Sequence, residues 1–353
     1  MQVLYLFKKQ APMNKFTVLL LLLVVLFTSC DTNNTLQKYQ LQGTALGTTY
    51  GITYIASSEV LDQLAVDSLL FAVNQSMSTY WPESDISKIN RGDLEIEVEP
   101  MFQEVFELSN EIYKRSEGYF DPTVGPLVNA WGFGPQETDV EMTPSRVDSL
   151  MTYVGFDQVS LRGNRIEKAH PEIYFDFNAI AKGYTIDRLG VLLDRLGSTN
   201  YLIELGGELI AKGENTIRNK KWLVGIDHPE NEDRTAPIVL VQLKDQALAS
   251  SGNYRKFRID SLSGEKYVHT VNPLTGYTQN SSTLAASVLA PNCALADGYA
   301  TAFMAMGYEK AISLVQSIED IEVFLVYTAP GSGELKQYMS PGFEKAVFRT
   351  KAP

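Results

Sequence analysis

The stretch that decides the fold runs Leu284-Ala285-Ala286-Ser287-Val288-Leu289, then Ala294 to Val315, then Val323-Phe324-Leu325-Val326-Tyr327. Two short apolar runs, the second rich in β-branched and aromatic residues, flank a long Ala-rich segment, which predicts strand, helix, strand. Working outward, Thr49 to Ile55, Tyr201 to Leu205, Trp222 to Ile226 and Ile238 to Leu243 also read as strands, and so does Ile173 to Phe177. Phe102, Val105, Phe106, Ser109 and Ile112 share one helical face, as do Leu61, Leu64, Ala65, Leu69 and Ala72. Thr143-Pro144 opens a helix with a capping residue and a first-turn proline. A further helix is expected from Lys182 to Leu196. The mixture predicts an α+β domain.

Composition narrows the function. The chain has 353 residues, with 30 Lys plus Arg against 42 Asp plus Glu, a net charge of −12. The first 29 residues hold Lys8, Lys9 and Lys15 and no acid, so the rest stands at −15. Such a body does not bind nucleic acid by bulk charge. Two cysteines, Cys30 and Cys293, form no CxxC pair, and His170, His228 and His269 are far apart. Zinc fingers, thioredoxin-like sites and HExxH metal sites are excluded.

The amino terminus reads as an export signal, residues 1–29, with Met13 an alternative start. Lys15 precedes the apolar run Phe16 to Phe27, and Thr28-Ser29-Cys30 follows. The small residue before Cys30 resembles a bacterial lipoprotein signal, in which that cysteine is lipidated. Asp31 to Gln42 is polar and reads as a tether, giving a division into signal 1–29, lipidated tether 30–43 and one domain 44–350.

Four clusters carry unusual chemistry. In Ala294-Leu295-Ala296-Asp297-Gly298-Tyr299-Ala300-Thr301, a carboxylate and a hydroxyl lie one helical turn apart. They suit a hard cation such as Mg²⁺, or equally an acid near a helix start with a back-bonded threonine. Asp176-Phe177-Asn178-Ala179-Ile180-Ala181-Lys182-Gly183 joins a strand to a helix through small residues, offering N–H groups to an anion and carbonyls to a cation. Gly118 to Pro126 with Trp131-Gly132-Phe133-Gly134 fixes an irregular aromatic loop. His269-Thr270-Val271-Asn272-Pro273-Leu274-Thr275-Gly276 presents a histidine in a polar turn, a general base or a structural residue.

Together these segments resemble the bacterial flavin transferases of the ApbE family. The matching stretches are TALGTTY (44–50), MSTYWPESDISKIN (77–90), GYFDPTVGPLVNAWGFG (118–134) and DFNAIAKGYTIDRL (176–189). They continue with YLIELGGELIAKG (201–213), SSGNYRKF (250–257), HTVNPLTGY (269–277) and ALADGYATAFMAMG (294–307). The resemblance implies a T-fold-like α+β architecture with mixed or antiparallel sheets packed with helices. It implies Mg²⁺ on Ala179, Asp297 and Thr301. It further implies FAD contacts at Leu46, Tyr80, Tyr119, Phe120, Asp121, Asp176, Lys182 and Val271; in the chemistry that follows, His269, or a carboxylate nearby, takes the hydroxyl proton. The implied reaction is Mg²⁺-dependent transfer of FMN from FAD to a Thr or Ser hydroxyl of an exported or membrane flavoprotein, releasing AMP. The alternatives are an FAD-binding lipoprotein and an FAD pyrophosphatase. The implied location is the periplasmic side of the inner membrane, held by a lipid on Cys30, with FAD and an acceptor flavoprotein subunit as partners.

Overall fold

Fourteen strands are described: β1 (Gln37–Ala45), β2 (Thr48–Ala56), β3 (Val159–Arg162), β4 (Arg165–Lys168), β5 (Tyr201–Leu205), β6 (Glu208–Lys212) and β7 (Trp222–Asp227) in the first half. Then come β8 (Pro237–Leu243), β9 (Gln246–Gly252), β10 (Phe257–Ile259), β11 (Lys266–Val268), β12 (Thr283–Ala290), β13 (Glu322–Thr328) and β14 (Leu335–Met339). Eight form one antiparallel sheet in the order β1-β2-β5-β6-β9-β12-β13-β14, while β3-β4, β7-β8 and β10-β11 are separate hairpins. The computed structural model describes residues 35–93, 95–136, 141–228, 237–252, 257–259, 266–268, 270–278, 282–329, 331 and 333–349. The signal 1–29, Cys30 and His269 lie outside them. Among the described residues no helix is long and apolar enough to cross a membrane.

The apolar runs of the central strands follow from burial on both faces. Along β13, Val323 and Leu325 face a core shared with the helices, and Phe324 and Val326 face a second core under β7-β8 and the helix Pro341–Ala346. The helix Pro100–Arg115 buries Phe102, Val105, Phe106, Ser109 and Ile112, the face its spacing predicts. The helix after Thr143-Pro144 forms as expected, with the Thr143 side chain accepting from the Arg146 N–H.

Four expectations are corrected. The helix Gln63–Met77 buries Val66, Leu70, Val73 and Met77, and Leu64 is exposed. Leu61 is buried but precedes the Asp62 cap, so a face counted from it falls on the wrong side. The single helix expected from Ala294 to Val315 is two, Cys293–Met306 and Tyr308–Val315, broken at Gly307 with φ 81°. That left-handed backbone cannot continue a helix. Ile173 to Phe177 is no strand. Tyr174 makes one isolated parallel bridge to Val124, and the main chain of Phe175 is instead held by Asn90, through N–H to Oδ1 at 2.7 Å and Nδ2 to the carbonyl at 2.9 Å. Finally, β1 starts at Gln37 and pairs with β2 along its length, so residues 37–43 belong to the fold and not to the tether.

The register places the site. The β1-β2 turn is Leu46-Gly47, both with positive φ, and the β5-β6 turn is Gly206-Gly207, likewise. These are the twists that two-residue hairpins demand. Tyr50 pairs with Leu205, so both tips lie at one end of the sheet, and Glu208 opens β6 there.

Against this sheet pack two helices, Ala181–Arg195 and Cys293–Met306, that nearly touch. A Cβ on Gly183 would press on the Cys293 carbonyl oxygen and lie 2.8 Å from Ala294 Cα. Both neighbours are backbone, so the helices would have to part. Gly183→Ala should lower the unfolding free energy by about 3 kcal/mol, read from the denaturant midpoint at constant slope. An unchanged midpoint would mean that the two helices shift freely.

Candidate functional site

The two helices bring one ammonium between two carboxylates. Lys182, in the first turn of Ala181–Arg195, places Nζ 3.1 Å from Glu208 Oε1 and 3.5 Å from Asp297 Oδ1. Asp297 Oδ2 accepts from the Gly183 N–H at 3.1 Å. Asp297 is 2% exposed and Glu208 5%. Burial alone would lower the Lys182 pKa, but Asp297 and Glu208 hold it above its ordinary value. Burial pushes the Asp297 carboxyl up; Lys182 and the Gly183 N–H oppose this, and Glu208 adds to it. Two acids against one cation leave net negative charge in a nearly dry place. Glu208 Oε2 is buried with no hydrogen-bond partner among the described residues, an expensive condition for a carboxylate oxygen.

Asp187 keeps this arrangement rigid. Its two oxygens accept from the N–H groups of Cys293 and Ala294, each at 2.8 Å, while the Asn292 side chain takes the Leu295 N–H. A helix start is thus capped by an acid from the neighbouring helix. Burial raises the Asp187 pKa to about 6 against an ordinary 3.8, the two capping N–H bonds opposing it. The folded state therefore binds this proton more tightly than the unfolded state, and the cost of its charge grows as pH rises through 4 to 6. Asp187→Asn removes the titration and keeps one acceptor. Wild type should gain about 2 kcal/mol relative to Asp187→Asn as pH falls from 7.5 to 4.5. Parallel stability-versus-pH curves for the two proteins would refute the assignment.

A second cluster lies six residues back along the chain. Asp176 is fixed by its N–H to the Pro122 carbonyl at 2.7 Å and by its carboxylate accepting from the Asn178 N–H at 2.8 Å. Burial, then the charge of Asp176, raises the phenols of both Tyr80 and Tyr174, so the carboxylate acts on both through space. Tyr80 is 63% exposed, an open aromatic face beside a carboxylate. Ala179 lies on the turn between the two clusters.

The structure thus unites Lys182 with Asp297, one turn before Thr301, and Asp176 with Tyr80. It spends other expected residues elsewhere. Phe120 is packed in the main core. Asp121 accepts from the Thr123 N–H and hydroxyl and from the Phe156 N–H, holding its own loop together. The Tyr119 hydroxyl accepts from Lys310 Nζ at 2.9 Å. Leu46 sits at the hairpin tip with φ 46°, and Val271 is 7% exposed, in a bridge to Thr278. Glu208 was missed by sequence reasoning. The signal was there: an acid directly after Gly206-Gly207, followed by the apolar run Leu209-Ile210-Ala211.

The ApbE family model matches residues 46–325. The chain belongs to the ApbE family. An FAD:protein FMN transferase of Haemophilus influenzae is 33% identical over 300 residues, covering 81% of this chain and 85% of that protein. One from Vibrio cholerae is 33% identical over 315 residues, covering 87% and 92%. The solved flavin transferase ApbE from Vibrio cholerae matches with a TM-score of 0.78 over 88% of this chain and 100% of its own. This ApbE-family chain is therefore a transferase with the α+β fold of its relatives, and both residue clusters lie within the matched span.

Proposed function

We propose that this chain transfers the FMN part of FAD, with Mg²⁺, to a Thr or Ser hydroxyl of an exported or membrane flavoprotein, releasing AMP. The observation that carries the reading is the buried pair Asp297 and Glu208 around Lys182, which has charge to spare for a cation and an ammonium for an anion. The donors fit Mg²⁺. Asp297 carboxylate, Thr301 hydroxyl and the Ala179 carbonyl are all hard oxygens, and Mg²⁺ keeps several positions for water and substrate phosphate. Among the described residues no three His, Cys, Asp or Glu side chains gather, so the ion would rely on just such mixed oxygens. When bound, it would neutralise the pyrophosphate.

The chain's own groups supply the rest. Lys182, 27% exposed at its side chain, can meet the pyrophosphate at the mouth of the cluster and stabilise charge on the departing AMP. Tyr80 offers a ring for stacking on a flat heterocycle. His269 takes the proton as the acceptor oxygen bonds to the FMN-side phosphorus and the bond to the AMP oxygen breaks.

Incubation with FAD, Mg²⁺ and a candidate acceptor should raise the acceptor mass by one FMN. Free FMN and AMP without a labelled acceptor would make the protein a pyrophosphatase, and intact FAD would make it a flavin carrier. We further infer that Cys30 is lipidated and holds the protein on the periplasmic side of the inner membrane. Cys30→Ser should move the protein from the membrane to the soluble fraction. An unchanged membrane fraction would refute the anchor.

A further inference from the structure

We propose that Glu208 is a working member of the cation site and that Lys182 is its resident counter-ion. The inference rests on the cation reading above and extends it to two residues on different elements. Glu208 is buried at the first residue of β6, where Gly207 donates its N–H to Glu204 and Gly206 is tied to Thr49, so the strand start cannot swing away. One of its oxygens is satisfied by Lys182, and the other has no hydrogen-bond partner among the described residues. Lys182 lies between Glu208 and Asp297. A structural ion pair needs one acid for one ammonium; here a second acid is buried beside the first.

An arriving divalent cation turns this imbalance into binding energy. It meets two negative charges, of which the ammonium cancels one. The free Oε2 is the oxygen left for the ion or for a water bound to it. Lys182 then stays on Glu208 Oε1 as Asp297 takes the ion, and its charge remains available to an anionic substrate. Lys182 thus opposes metal binding while Glu208 favours it, and Glu208 does so directly as well as by holding Lys182.

A double-mutant cycle separates those two routes. Mn²⁺ is titrated into each protein with saturating FAD and followed by electron paramagnetic resonance, protein-free FAD serving as the blank. Glu208→Gln should weaken Mn²⁺ binding by about tenfold and Lys182→Gln should tighten it by about tenfold. Adding Glu208→Gln to Lys182→Gln should still weaken binding by about fivefold or more. No effect of Glu208→Gln in that background means that Glu208 only tethers the lysine, which overturns the proposal. Asp297→Asn is the control for the underlying reading. If it binds Mn²⁺ like wild type, the cation site itself is misplaced. If it loses Mn²⁺ while Glu208→Gln does not, only the present inference falls. Glu208→Asp keeps the charge and draws the oxygen back. Its Mn²⁺ affinity should lie between those of wild type and Glu208→Gln, which gives a reading even where the double variant does not fold.

Discussion

Asp297→Asn should stop Mg²⁺-dependent transfer, with a rate loss of about 10³ or more, in a protein that stays folded. The asparagine keeps the shape and one oxygen, which can still accept the Gly183 N–H. It removes the one carboxylate among the three proposed ligands Asp297, Thr301 and Ala179, and so most of their attraction for a divalent ion. Folding should not suffer, because a fully buried charge is replaced by a neutral group and Lys182 retains Glu208 as its partner. FAD should still bind, more weakly. Thr301→Val removes a neutral ligand at nearly constant volume, so its loss should be smaller and partly recovered at high Mg²⁺. Transfer rate against Mg²⁺ concentration for the three proteins, with unfolding midpoints measured alongside, checks this. Full activity of Asp297→Asn at ordinary Mg²⁺ would reduce this helix turn to a structural element.

His269→Ala should lower transfer by about 10²–10⁴ and leave FAD affinity within a few fold. The described residues on either side of it are firmly seated. Val268 and Thr270 on either side are buried, and Asn272 donates its amide to the Ala305 carbonyl at 3.3 Å. Asn272 also closes the following turn, accepting from Gly276 through its carbonyl and from Leu274 through its side chain. Ala305 is on the helix that carries Asp297 and Thr301. Asn272 thus ties the turn after residue 270 to the helix that holds Asp297 and Thr301. Transfer rate and FAD affinity, measured on the same preparation, decide the matter. A parallel fall in both would make His269 structural and place the base elsewhere.

Much of the fold was readable because long amphipathic patterns and doubly buried strands leave plain traces. Phe102 to Ile112 gave the correct helical face because Phe102, Val105, Phe106 and Ile112, at helical spacing, are all buried. The failures have local causes. The apolar run Ile173 to Phe177 reports burial against Phe102, Phe106 and Phe156, and its main chain found a side-chain partner in Asn90 where a ladder was expected. Asp297 and Lys182 were legible as ligand types, but that they meet depends on Gly183 letting two helices close, 114 residues apart. Asp121 shows the opposite limit. A short acidic motif says nothing about whether the carboxylate faces a ligand or closes its own loop.

The sheet order has a consequence for how the chain is made. Read across the sheet, the strand numbers only rise: β1, β2, β5, β6, β9, β12, β13, β14. No strand has to be inserted between two that are already paired. Each new strand, as it leaves a ribosome or a translocation pore, can add to the edge left open by the one before, and the omitted pairs fold as hairpins of their own. Such pairing keeps loop closure local. The molecule can thus be assembled vectorially, beginning at β1, and both acids of the lysine cluster arrive after the ammonium they enclose.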